Sequence, residues 1–595
     1  MSRSPNVGRA LKKSITGIAA QLNGRETPAQ LRRYADQARA QHDWARDAFF
    51  RRKICEMEPE RLGAWVQYGH ALKESGFHAR AAEAYKRALA LKPGDPEITL
   101  QLGHLAKVRG DFAEAQRCFE AARAAGHSDP DHIDFELKLL RKIDNSRIFW
   151  GEGGEGDKVP LRVFLSAPAK PVNETDRASA SQGLGRSDYS YAFAMRGFIE
   201  ALEEMEIDYT VIDRPENVAD IRARSGAETN IHLGFYPPER IRVLKGAYNV
   251  NCFAWEFDRL RLPEEVQTHH AFADQTTMLD IADELWVPSQ HGAEAVRAGV
   301  TKPVHRVPAP ILSHLSRHAR SGRPSPRDIA RAARDASGPT WQPLSILPRI
   351  QDTMDSAARS RAAPLPSILS TAVDGDPVVF LSIFNVHDYR KQIEPLVEGF
   401  LRFAETDDRA ILLMKMTTPW RGHPNRNLME EQIADAGRML RPMVSERVWM
   451  TDDVLSRAEL NRLYDISAFY LCTSHAEGQN LPLIEAMGRG VVPVSVGHTA
   501  MEDYLSENDA VIIPSTPRPF GIRLTRRYGM FGAETHHVEA DEVTAALRRA
   551  VSMADADYAR RSAAAFEEVR RQFGLHAFAE RFNALVDQLQ AGSSQ

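Results

Sequence analysis

The chain of 595 residues is poor in cysteine, with only Cys55, Cys118, Cys252 and Cys472, far apart and without paired spacing. That pattern excludes a disulfide framework and a cysteine-built zinc site, and it fits a reducing cytoplasm. The chain also lacks a run of about 18 apolar residues able to span a bilayer, and a charged, apolar, small-residue signal at its start. A soluble or peripheral protein is the expectation. Positive charge is not in excess, since 76 basic residues face 80 acidic ones for a net charge of -4. Neutralising phosphates requires a basic excess, so nucleic acid is not an expected partner, and no nucleic-acid-binding motif is present. What remains is ordinary globular composition, 43% apolar and 26% charged. At roughly 150 residues per domain, the length excludes a single small module.

Residues 1–27 place Val7, Leu11, Ile15, Ile18 and Leu22 at helical spacing beside Arg9, Lys12 and Lys13. This basic amphipathic segment reads either as a helix capping the next domain or as one that docks on a membrane surface or a partner. Residues 28–150 then carry a 34-residue repeat, with Gly69 matching Gly103, Gly76 matching Gly110, Ala81 matching Ala115, Tyr85 matching Phe119 and Ala88 matching Ala122. Pro59 lies 34 residues before Pro93, so residues 28–61 read as a degenerate earlier copy. The order Trp65, Gly69, Gly76, Ala81, Tyr85, Ala88, Pro93 resembles the tetratricopeptide repeat, in which small residues let two helices cross and an aromatic fills the gap. The resemblance implies an all-α array whose concave face takes a protein or peptide, or one that only packs on the rest of the chain.

Glycines at 151–156 read as a hinge. Beyond it, strand-like runs alternate with helix-like stretches: Leu161 to Ser166, Tyr209 to Asp213, Asn230 to Phe235, Asn249 to Ala254 and Glu284 to Pro288 within residues 157–312. The pattern resumes within 377–540 as Val378 to Phe384, Ile411 to Lys415, Arg447 to Thr451, Ala468 to Thr473 and Val492 to Val496. Such alternation predicts two Rossmann-like α/β domains with parallel sheets. Between them, residues 313–376 hold 10 Ser, 10 Ala, 9 Arg and 7 Pro with no Phe or Tyr. That composition predicts a disordered linker or insertion without a core of its own. Residues 541–595 read as helices that cross back to brace the first α/β domain.

The stretch Ser474 to Val494 begins at the carboxyl end of a predicted strand and runs into a helix, the place where open α/β sheets bind ligands. Seven residues separate Glu477 from Glu485, so one carboxylate sits in the loop and the other a turn or two inside the helix, both able to face one cleft. The backbone amides of Gln479, Asn480 and Leu481 are placed for an anionic group or sugar hydroxyls. Gly478 and Pro482 suit that tight entry.

This segment, ending Glu485-Ala486-Met487-Gly488-Arg489-Gly490-Val491-Val492-Pro493-Val494, resembles the retaining glycosyltransferases of family 4 with the GT-B fold, over roughly residues 160 to 590. The resemblance implies that Glu477 contacts donor-sugar hydroxyls and Glu485 holds the nucleotide ribose. Phe384 to Lys391 is similar to the family segment that grips the donor diphosphate, making Arg390 and Lys391 its cations. Lys415 and Glu502 match family positions close to the nucleotide and the donor. Gly183 and Gly185, in Gln182 to Tyr191, match the first-half glycine loop that approaches donor phosphate and acceptor, while Trp255 and Glu256 match the acceptor-facing wall. The histidine that many members carry there is not beside Trp255 and Glu256.

The activity so implied is sugar transfer from a nucleotide-diphosphate sugar to a hydroxyl acceptor, with a donor phosphate oxygen taking the acceptor proton. No cofactor is expected, and no Asp-x-Asp metal signature is present. The acceptor is a glycan or glycolipid of bacterial surface polysaccharide or lipopolysaccharide assembly, or a protein such as a flagellin recruited by the repeats. The corresponding location is cytoplasmic, with peripheral contact at the inner face of the membrane as one alternative. The rival readings are an inactive GT-B binding scaffold and, on the same two-half architecture, an epimerase or a phosphorylase.

Overall fold

The computed structural model describes residues 26–41, 43–108, 111–144, 159–168 and 187–593, less 219, 224–226, 267–273, 335–339, 348–361, 371–375, 418–428 and 430–445. The basic segment, the glycine hinge and the loop holding Gly183 and Gly185 therefore lie outside the described residues.

Among the described residues, seven helices come first, from Pro28–Ala40 through Trp44–Met57, Leu62–Glu74, His78–Leu91, Pro96–Val108 and Phe112–Ala124 to Pro130–Asp144. Consecutive helices pack as antiparallel pairs, and the repeat explains how. A Cβ on Gly69 would sit 2.5 Å from Tyr85 Cε1, and one on Gly103 would sit 2.6 Å from Phe119 Cε1. Only glycine lets the fully buried aromatic ring close that gap, which is why glycine and aromatic recur together 34 residues apart. Residues 28–57 form a helix pair of the same kind.

The first α/β domain is a six-stranded sheet of β1 (Val159–Ser166), β2 (Tyr209–Val211), β3 (Ala227–Gly234), β4 (Tyr248–Cys252), β5 (Glu284–Val287) and β6 (Val304–Arg306). All its pairs are parallel and the spatial order is β2-β1-β3-β4-β5-β6. Its inner strands β3 and β5 are largely buried on both faces, and β3 and β4 carry buried polar residues, Asn230, His232 and Asn251, among their apolar ones.

Residues 313–376 depart from expectation. Where described, they hold the helix Pro326–Arg334, β7 (Thr340–Pro343) and β8 (Ala363–Pro364), and they are built into the second sheet. Trp341, Leu344, Leu347, Leu365 and Ile368 are buried in that domain's core. The segment's arginines serve as caps: Arg320 donates to the carbonyls of Tyr464, Ser467 and Arg489 at 2.7–2.8 Å, satisfying chain ends that leave helices. A composition count missed this because a few apolar residues and well-placed guanidiniums suffice to dock an edge on an existing core.

The second sheet adds β9 (Val378–Asn385), β10 (Ala410–Thr417), β11 (Val448–Thr451), β12 (Phe469–Cys472), β13 (Val492–Ser495) and β14 (Val511–Ile512). Its order is β14-β13-β12-β9-β10-β11-β7-β8, parallel except for β7 and β8. Connections run outward in opposite directions from β9 and β12, so the sheet's switch point lies between these two strands. An antiparallel pair, β15 (Thr516–Pro519) and β16 (Glu534–His537), stands beside it.

Two C-terminal helices join the halves. Asp555–Phe573 buries Tyr558, Ala565, Val569 and Phe573 in the second core. Leu575–Ser593 then buries Phe578, Phe582 and Leu585 in the first. Phe578 meets Phe198 edge-on at 5.3 Å, and each such buried ring contributes about 1.5–3 kcal/mol. Helical repeats followed by two Rossmann-like domains facing across a cleft make the architecture that of a GT-B fold.

Candidate functional site

The loops after β9 and β12 meet at the switch point. His475 N–H donates to the Arg390 carbonyl at 2.6 Å, and Thr473 Oγ1 donates to the Lys391 and Gln392 carbonyls at 3.2 and 3.0 Å. Three non-glycine residues here hold left-handed backbone: Gln392 at φ 45°, Asn480 at φ 64° and Thr499 at φ 55°. Such conformations persist only where the surroundings over-determine them. Gln392 is fixed by its own amide, which donates to the Thr473 and His536 carbonyls at 2.9 Å and accepts from Val538 N at 3.1 Å. Asn480 Nδ2 contacts Cys472 Sγ at 3.3 Å, and Thr499 Oγ1 accepts from Glu477 N at 3.0 Å.

These turns bring the buried Glu477 and the half-buried Lys391 into an ion pair. The same Glu477 oxygen accepts from Ser474 Oγ at 2.6 Å. Burial opposes the charge on Lys391, but Glu477 and Asp388 outweigh it and hold the ammonium above its ordinary range. Arg390 is engaged on both sides: Nη2 pairs with Asp388 Oδ2 and Nη1 with Glu256 Oε1 of the first domain, each at 2.6 Å. Asp388 also accepts from Tyr528 OH at 3.0 Å. Burial disfavours the Asp388 carboxylate, yet Arg390 and Lys391 hold its carboxyl well below the usual range. Glu256 goes the other way: burial raises it, Arg390 lowers it, and Asp388 and Glu477 raise it further, for a net rise. Two cations thus face three carboxylates.

The helix Leu481–Gly488 carries Glu485 one turn in, where Tyr464 OH donates to Oε2 at 2.7 Å and His314 Nε2 lies 3.7 Å from Oε1. Gly478 packs against the first domain; a Cβ there would sit 2.7 Å from Ala254 Cβ and 3.1 Å from Trp255 N. Gln479 spends its side chain on the first domain, accepting from Ala309 N at 3.2 Å and donating to Ala309 O at 3.0 Å. Of the residues named for the helix entry, Gln479 is therefore a domain link through its side chain.

A cleft of about 600 Å³ opens between the domains. The structure brings Trp255, Glu256, Arg390, Lys391, Lys415, Glu477, Gln479, Asn480, Leu481 and Glu485 to its wall. Lys415 Nζ donates to the Met416 carbonyl at 2.7 Å, and Trp255 Nε1 donates to the Arg259 carbonyl at 3.1 Å. Glu502 is the exception. It lies exposed on the 3-10 turn Thr499–Asp503, outside the cleft wall, because the left-handed Thr499 turns the chain and presents Thr499 Oγ1 to Glu477 instead. Sequence reasoning missed Asp388, Ser474, Thr499, Tyr528, Tyr464 and His314. Asp388 had a signal, an aspartate two residues before a basic pair, placed to cap the turn Tyr389–Lys391 and accept from Arg390 N at 3.1 Å.

Behind the loops, His498 stacks on His536 with centroids 3.9 Å apart. Burial pushes His498 down to about 3 and His475 down to about 4, so both are neutral hydrogen-bonding supports.

Comparison with known proteins gives three findings. Residues 56–135 match the tetratricopeptide repeat family model. A protein of Acidianus filamentous virus 2 named as a candidate glycosyltransferase, ORF330, is 29% identical over 119 residues, 20% of this chain; the match spans 32% of that relative's length. Among solved structures, sucrose-phosphate synthase from Thermosynechococcus elongatus aligns with TM-score 0.43 and 14% identity over 73% of this chain and all of that one. Trehalose 6-phosphate synthase from Burkholderia multivorans aligns with TM-score 0.38 and 13% identity over 69% of this chain and 78% of that one. No helix among the described residues is long and apolar enough to cross a membrane.

Proposed function

We propose that this chain is a retaining glycosyltransferase of the family 4 type, moving a sugar from a nucleotide-diphosphate sugar to an acceptor hydroxyl. The observation that carries this reading is the ion pair between Lys391 and the buried Glu477 at the switch point of the second sheet, with Glu485 on the helix that follows. The partial match to a viral protein named as a glycosyltransferase adds to it.

In this reading the bond between the anomeric carbon and the phosphate oxygen breaks, and its electron pair stays on the departing nucleotide. Lys391 supplies fixed positive charge where that charge develops, and Arg390 joins it once the diphosphate displaces Glu256. Glu477 orients sugar hydroxyls and Glu485 holds the ribose. The acceptor hydroxyl enters past Trp255 on the face the nucleotide leaves, and its proton passes to a donor phosphate oxygen.

Stability is to be measured against a panel of nucleotides and nucleotide sugars, with and without divalent metal. Selective stabilisation by one nucleoside diphosphate without metal is expected, and Glu485→Gln should weaken that binding by about 1.5–3 kcal/mol, roughly tenfold or more. No stabilisation by any of them would favour an inactive scaffold.

For the acceptor, a bacterial surface glycan or glycolipid is the first reading. The tetratricopeptide match favours a second, a protein acceptor recruited by the repeats. Removing residues 28–144 separates them: transfer to a glycan acceptor persists under the first reading, whereas transfer to protein is lost under the second.

A further inference from the structure

The repeats hold a cluster that the transfer reaction does not use. His104 on the helix Pro96–Val108 and His132 and Glu136 on the helix Pro130–Asp144 each offer a ligand atom, and these atoms lie within 4.8 Å of one another. His132 and Glu136 are four residues apart and so share one helix face. We propose that His104, His132 and Glu136 form a binding site for a zinc-like divalent transition-metal ion that staples the helices Pro96–Val108 and Pro130–Asp144 together.

The repeat itself explains why His104 is available. One repeat earlier, His70 occupies the equivalent place and its Nδ1 is 2.7 Å from Tyr85 OH. In the next copy the aromatic is Phe119, which has no hydroxyl. The ring of His104 still packs edge-on against it at 5.2 Å, keeping the imidazole orientation while removing its partner. Its Nε2 instead faces His132 Nε2 at 3.4 Å. Ligands about 2.0–2.1 Å from a tetrahedral zinc lie roughly 3.3 Å apart, so the two nitrogens already stand at the spacing of a shared metal.

Glu136 supplies the negative ligand. Lys107 Nζ binds its Oε2 at 2.5 Å, and one carboxylate oxygen lies within 4.8 Å of the ligand nitrogens of both histidines. The lysine fixes the orientation of the carboxylate, a common support for metal-binding carboxylates. Two imidazoles and a carboxylate suit zinc or its borderline neighbours over calcium or magnesium, which prefer oxygen ligands. Three protein ligands leave a fourth position for water or for a side chain of a docked partner. None of the three residues lines the cleft.

The full chain, stripped of metal with a chelator, is to be titrated with zinc by calorimetry and with cobalt(II) by visible absorption. One equivalent of zinc, a raised melting temperature and a tetrahedral cobalt spectrum are expected. All three should vanish in His132→Asn, whose side chain lies at the surface, so folding is checked by circular dichroism. They should persist in His127→Ala, which removes a histidine of the same repeats that pairs with Glu97. Absence of uptake by the wild type would overturn the proposal, leaving a simple N–H···N contact between the rings. Undiminished uptake by a His104→Ala, His132→Asn double variant would overturn it as well.

Discussion

The two α/β domains are built alike, each around a sheet of parallel strands that borders the cleft, yet they are equipped differently. The first presents a mainly apolar wall, Phe193, Pro237, Phe253, Trp255 and Phe257, beside the paired Arg261 and Glu239, and one carboxylate, Glu256, reaches across to Arg390. Its buried polar groups look inward: His232 bridges Ser166 and Asn249, and burial holds its imidazole down to about 4, so it stays neutral. The second domain gathers Asp388, Arg390, Lys391, Glu477 and Glu485 at its switch point. One half therefore offers shape and the other fixed charge. A reaction that departs with negative charge on one partner needs that asymmetry, because only one side of the cleft has to stabilise it.

The comparison is tested hardest at Lys391. Replacing Lys391 by Met strands the Glu477 carboxylate in a buried site, and breaking such a pair costs about 3–5 kcal/mol. A fall in unfolding free energy of that size is expected in denaturant titration, together with loss of nucleotide-induced stabilisation. If Lys391→Met unfolds like the wild type, the charge on the second domain is not organised around this pair.

The boundary between the halves gives the next largest effect. In Gly478→Ala the added Cβ meets Ala254 Cβ and Trp255 N, backbone and core that do not yield easily. Overpacking of this kind costs about 1–3 kcal/mol, and it falls on the contact between domains. Solution scattering should show a larger radius for Gly478→Ala than for the wild type. An unchanged radius would mean that this loop does not set how closely the halves approach.

Much of this arrangement was legible before the fold was known, for definite reasons. Doubly buried parallel strands read as apolar runs, so β9, β10, β12 and β13 lie within a residue or two of expectation. The repeat was legible because glycine and aromatic must change together. Three things were not. β7, β8 and β14 are only two to four residues long and dock on a core built elsewhere, so they leave no periodicity. The left-handed turns at Gln392, Asn480 and Thr499 depend on tertiary hydrogen bonds, and the displacement of Glu502 follows from the last of them. Arg390 read as a diphosphate cation, and the sequence did not show that Asp388 and Glu256 hold it, of which only the second lies far off in sequence.

That captive arginine yields the smallest and most diagnostic effect. With Glu256 ionised, two cations face three carboxylates, and an incoming diphosphate is repelled. With Glu256 protonated the balance is even. Burial raises the Glu256 carboxyl above its ordinary value, so its proton is retained further toward neutrality and lost as pH rises. Donor affinity should therefore weaken as pH increases through that raised value. Glu256→Gln keeps the shape and removes the titration, so its affinity should stay flat and exceed that of the wild type at the alkaline end. The gap between the two proteins is expected to widen as pH rises through that value. Calorimetric titration of the nucleoside diphosphate in a pH series running upward from the ordinary carboxylate range measures it. Parallel pH profiles would mean that the first domain contributes shape alone, and that the Arg390–Glu256 bridge is released without regard to its proton.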